Sequence, residues 1–94
     1  MFIEYAKLTF RIYAHSLKDK RQISRPIIDK ARHKFNAAIS EVEGQDCHQT
    51  LILGIAAISG NLAHAQNSIN EIARFIEFNT DGDLINTDSG GDSI

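Results

Sequence analysis

FIEYAKLTFRIYAHSLKDKR, residues 2–21, contains the change of period on which the fold turns. Across residues 2–13, Phe2, Ala6, Leu8, Phe10 and Ile12 share one parity, interrupted by Glu4. The other parity carries Ile3, Tyr5, Lys7, Thr9, Arg11 and Tyr13. A period of two belongs to a strand, whose successive side chains project to opposite faces. One face is apolar, and the other interleaves aromatic rings with cations. From Ser16 the period becomes helical. Ser16 reads as an N-cap with Asp19 three residues on, and Leu17, Ser24, Ile27, Ile28, Ala31 and Phe35 recur at helix spacing. A helix is expected over residues 17–35. Pro26 removes a backbone donor and crowds the preceding turn, so a kink or break is expected near residues 22–25. The alternative there is a restarted helix capped by Ser24 or Arg25.

The rest of the chain follows outward from this unit. NAAISEVE, residues 36–43, predicts a second strand, and GQDCHQ, 44–49, a turn. TLILGIAAIS, 50–59, is apolar on both parities, the pattern of a central strand covered on both faces. Gly54 within it permits close approach of another group. Asn61 caps a second helix whose Leu62, Ala65, Ile69, Ile72 and Ile76 form an apolar stripe. A turn at Thr80-Asp81-Gly82-Asp83 precedes a short strand around Leu84–Thr87. SGGDSI has no apolar residue before Ile94, and residues 89–94 are expected to be a flexible tail.

The order is β-α-β-β-α-β. Right-handed crossovers then place both helices on one face of a four-stranded antiparallel sheet, an α+β, ferredoxin-like arrangement. The expectation is one domain over residues 1–88, with Leu8, Phe10 and Ile12 under the helices. Tyr5, Lys7, Thr9, Arg11 and Tyr13 then belong to the open face.

Composition sets the class. The 94 residues are 43% hydrophobic and 23% charged, the balance of an ordinary soluble domain. No apolar run approaches the roughly 20 residues of a membrane span, and Met1-Phe2-Ile3-Glu4 lacks the basic start of a signal peptide. The single cysteine, Cys47, has no internal disulfide partner, so a reducing cytoplasm is expected. The net charge of −2 conceals a division. Residues 1–40 hold nine cations against Glu4, Asp19 and Asp29, a net of +6, while 41–94 hold Arg74 against nine acids, a net of −8. Either the halves interleave and neutralise one another, or a basic surface awaits an anionic partner.

Three ordered motifs, SLKDKR at 16–21, FNAAISE at 35–41 and LGIAAIS at 53–59, resemble the YlxP-like family of small bacterial proteins of unknown function. The resemblance spans residues 2–88, with departures at His48, where an aromatic is usual, and at Pro26. It implies a ferredoxin-like fold. Its genes often neighbour those of translation-initiation and ribosome-maturation factors, which implies association with RNA or the ribosome. It implies no catalytic residues.

The chemistry-bearing candidates start with SLKDKR. A helix N-terminus carries partial positive charge and free N–H groups, and added cations cost stability unless an anion binds. Ser16, Lys18 and Arg21 therefore form a candidate anion site. Lys18, Arg21 and Arg25 share one side of the helix, whereas Lys20 lies toward the buried stripe. Such a spread suits a polyanion, with Lys20, Lys7 and Arg11 as auxiliary contacts. The bland reading is a solvated helix offset by Asp19 and Glu41. On the open face, Tyr5 and Tyr13 could stack bases, but the third strand offers no aromatics, so packing of that face against a second copy is the stronger expectation. His15 beside Ser16 lacks an orienting third group, and Cys47-His48 lacks a second ligand pair, so neither a catalytic residue nor a metal or cofactor site is expected. Asp81-Gly82-Asp83 begins like a calcium loop without the downstream glutamate. The expected function is non-enzymatic binding of RNA or a ribosomal particle. The alternatives are a homodimeric interaction module and, less favoured, an acylphosphatase-like small anion-binding enzyme, whose glycine-rich loop is missing here.

Overall fold

A computed structural model describes residues 1–94. Its elements are β1 (Phe2–Ile12), α1 (Leu17–Lys34), β2 (Ala38–Glu43), β3 (Thr50–Ser59), α2 (Leu62–Asn79) and β4 (Gly82–Ser93). The sheet runs β2-β3-β1-β4 with every pair antiparallel, the ferredoxin-like order. Alternation assigns its two faces. Ala6, Leu8, Phe10 and Ile12 of β1 and Leu51, Leu53, Ile55 and Ala57 of β3 are buried against Ile27 and Ala31 of α1 and Ile69, Ile72 and Ile76 of α2. Full burial of one such side chain contributes about 1.5–3 kcal/mol, so this single layer is the stabilising core.

Both helices start where a side-chain cap stops the strand period. Ser16 Oγ accepts from the Asp19 N–H at 3.0 Å, and Asp19 Oδ2 accepts from the His15 N–H at 2.8 Å. Asn61 Oδ1 accepts from the His64 N–H at 2.9 Å. Each cap satisfies donors that the helix itself leaves free.

Two expectations are corrected. Helix α1 runs unbroken through Pro26, with no restart at Ser24 or Arg25. Buried Lys20 and Ser24 before the proline and Ile27 and Ala31 after it tie both halves to the sheet, while Pro26 itself is exposed. Its ring and the lost hydrogen bond fall on the solvent side. The second correction is the tail. Residues 89–93 belong to β4, which pairs with β1 along its whole length from Ile12↔Gly82 to Phe2↔Ser93. A ladder formed by backbone groups needs no apolar side chains, and Gly90 and Gly91 leave room for Tyr5 and Glu4. A Cβ on Gly90 would lie 2.5 Å from the Tyr5 hydroxyl oxygen.

The helices cover one sheet face only. On the other, Ile52, Gly54, Ala56 and Ile58 of β3 have no layer above them, and Ile58 is 66% exposed. A register shift in β2 between Glu41 and Glu43 places Val42 over Gly54, where a Cβ would lie 2.7 Å from Val42 Cγ1.

Candidate nucleic-acid interface

The cations of α1 separate into two sets. Lys20, Ser24, Ile27 and Ala31 follow one another at helical spacing along the buried stripe. Lys20 is 2% exposed, and its ammonium donates to Gly44 O at 2.7 Å and Cys47 O at 2.8 Å. It also forms an ion pair with Glu41 Oε2 at 2.7 Å, at an angle outside that of a hydrogen bond. An ammonium has three protons, and three acceptors surround this one. The expected nucleic-acid role of Lys20 is thereby corrected. It is an internal clamp joining α1 to the β2–β3 loop, because a desolvated ammonium is tolerated only where it is paired and hydrogen-bonded. Glu41 is the matching signal: it shares the core-facing parity of β2 with Ile39.

The outer set is Lys18, Arg21 and Arg25. All three are exposed, none lies within ion-pair distance of a carboxylate, and with Gln22 and Pro26 they line a shallow concavity of about 520 Å³. Ser16 does not line it. Its hydroxyl is committed to the cap, and the Asp19 carboxylate stands beside it, so Ser16 is a structural residue and the expected anion-site role is corrected for it.

Lys7 and Arg11 lie across the sheet from α1. Their auxiliary role beside Lys18 and Arg21 is corrected, since the sheet stands between the two groups. Lys7 bonds Glu43 Oε1 at 3.0 Å, and this hydrogen bond, then the charge of Glu43, holds its pKa above the ordinary lysine value. Arg11 is exposed opposite Asp83 in the ladder. Asp83 accepts from the Tyr13 hydroxyl, and that bond, followed by the carboxylate charge, raises the Tyr13 pKa. Tyr13 is thus engaged at its polar end.

The largest concavity, about 780 Å³, lies on the open face, where Tyr5, Lys7, Val42, Gly54 and Ala56 line it. Arg32 reaches this edge from α1 and donates through Nε and Nη2 to Ile39 O, at 3.0 and 2.6 Å. Cys47 and His48 are exposed on the 44–49 loop.

A ferredoxin-like α+β domain with a cationic helix face and a bare sheet face is the class these features define. The family model for a protein of unknown function, DUF503, matches residues 3–89, and the chain belongs to that family. It is also similar to the uncharacterized protein YlxP of Bacillus subtilis (strain 168), with 36% identity over 76 residues, 80% of this chain and 83% of that protein. No helix is long and apolar enough to cross a membrane.

Proposed function

We propose that the chain is a non-enzymatic, cytoplasmic binding protein that associates with RNA or ribosomal particles through the outer face of α1. The observation that carries this reading is the row Lys18, Arg21 and Arg25, exposed on one side of the helix without an internal counter-charge. Lys18 and Arg25 are separated by about 10 Å along the axis, at 1.5 Å per residue. That spacing exceeds what one phosphate can bridge and suits successive phosphates of a polymer. Binding of this kind is weakly selective for sequence and falls steeply with salt. Co-sedimentation with ribosomal particles at two salt concentrations tests it. The wild-type chain is expected in the particle fraction at low salt and free at high salt, and Lys18→Ala with Arg21→Ala is expected free at both. Equal recovery of variant and wild type would contradict the reading.

A specific observation favours a second one, a homodimer through the open sheet face. Tyr5 and Ile58 are more than half exposed there beside the 780 Å³ concavity. Sedimentation should then give twice the 10.5 kDa chain mass, and Ile58→Glu should return it to a monomer. A wild-type monomer at every concentration opposes it. The acylphosphatase-like alternative has less support, because the Asp19 N–H is already capped and a carboxylate occupies the first turn; it predicts hydrolysis of an acyl phosphate.

A further inference from the structure

The two edges of the sheet differ. On the β2 edge, the Arg32 guanidinium occupies the carbonyl of Ile39. The β4 edge has no such cover. Met1 and Ile94 exchange N–H···O bonds at 2.7 and 2.8 Å, which fixes the alternation along β4. Residues 88, 90 and 92 turn their backbone groups toward β1, and residues 87, 89, 91 and 93 turn theirs outward. The Ser93 N–H is satisfied by Asp92 Oδ1 at 2.8 Å. β4 has no second strand neighbour, so Thr87, Ser89 and Gly91 present open donors and acceptors.

This edge borders a groove. Between it and α2 lies a hollow of about 350 Å³ lined by Gln66, Asn67, Asn70, Ser89 and Gly91. A second hollow, of about 390 Å³, continues it past Leu62 to Asp92 and shares Glu4, Gln66 and Gly91 with the first. The side-chain amides of α2 can pair with the far side of an incoming backbone. No lysine or arginine lines either hollow, and Glu4 and Asp92 are their charged residues. Asp88 and Asp83 lie farther along β4 on the open-face side, in register with Lys7 and Arg11.

We infer that this edge is a strand-addition site for an extended, lysine- or arginine-bearing segment of another protein. Backbone pairing to Thr87, Ser89 and Gly91 supplies the attachment, and the acids select the charge. The same acids disfavour a second β4 as occupant, because antiparallel pairing of two copies brings aspartates together. They also repel nucleic acid, so this surface is independent of the outer face of α1.

Backbone NMR of the full chain tests the inference, with an end-blocked decapeptide of alternating Lys and Thr as probe. On titration, the amide signals of Thr87, Ser89 and Gly91 are expected to shift and to gain protection from hydrogen exchange. A Glu–Thr decapeptide, and the Lys–Thr peptide N-methylated on alternate amides, are expected to leave them unchanged. Ser89→Pro removes one outward donor without touching the β1 ladder and is expected to weaken binding about tenfold. The inference is overturned if the Lys–Thr peptide fails to bind at millimolar concentration, binds equally well when methylated, or shifts the open sheet face instead.

Discussion

Lys18 and Lys20 stand two positions apart in the first turn of one helix, and their surroundings are opposite. Lys20 points along the buried stripe, where Glu41 and two loop carbonyls surround its charge. Lys18 points outward with Arg21 and Arg25 and meets no carboxylate. A turn of about 200° about the helix axis therefore decides whether a cation is part of the fold or available to a partner. Basic residues at a helix N-terminus do not form one class. The misplaced charge of the first turn is partly answered from within, by Glu41 and Asp19, and the unanswered remainder is the outer row.

The sharpest way to break this contrast is to remove the inner cation. Lys20→Ala leaves Glu41 without its counter-ion and the carbonyls of Gly44 and Cys47 without their donor. Because Glu41 keeps some solvent contact, the loss should fall at the low end for a broken buried pair, about 3 kcal/mol, read as a lower midpoint in urea unfolding. An unchanged midpoint would mean that the clamp is not a stabilising contact. Next in size is Gly54→Ala, which pushes Val42 off β3. Val42 is half-exposed and can yield, so about 1 kcal/mol is expected in the same assay. Lys18→Ala should lie within about 0.5 kcal/mol of wild type, as for a surface residue without partners. A large loss there would erase the distinction between the two lysines.

The open face gives a pH-dependent comparison. The folded Tyr13 holds its proton above the ordinary tyrosine value because its hydroxyl donates to Asp83. A raised folded pKa contributes stability that is fully present below the unfolded value of about 10 and is lost as pH rises through the folded one. Asp83→Asn should shift the Tyr13 ionisation, followed by absorbance at 295 nm, to lower pH. A midpoint that stays in place would remove Asp83 as the cause.

The sequence carried much of this fold in its periods. Alternation in β1 placed Leu8, Phe10 and Ile12 under the helices, and Ser16 and Asn61 marked both helix starts. Two elements escaped for physical reasons. The far half of β4 is held by main-chain pairing to a long neighbour, and TDSGGDS has no apolar alternation to announce it. The continuity of α1 through Pro26 depends on packing either side of the proline, which local propensity does not record. For the candidate site, helical geometry grouped Lys18, Arg21 and Arg25 and set Lys20 apart, but the partner of Lys20 required reading α1 against β2. A lysine on a buried helix stripe and a glutamate on the core-facing parity of a strand were the two halves of that signal. The separation of Lys7 and Arg11 from α1 was legible as well: the alternation of β1 puts them on the open face, away from both helices, and that placement already opposes an auxiliary role beside Lys18 and Arg21.

The central claim is that the outer row of α1 neutralises phosphates. It is tested most directly by measuring the affinity for a single-stranded RNA oligomer across a range of salt concentrations, for wild type and for the combined variant Lys18→Gln, Arg21→Gln, Arg25→Gln. Each phosphate contact contributes about 0.7 to the slope of log affinity against log salt, so loss of three contacts should flatten the slope by about 2. A variant with the wild-type affinity and slope would contradict the account.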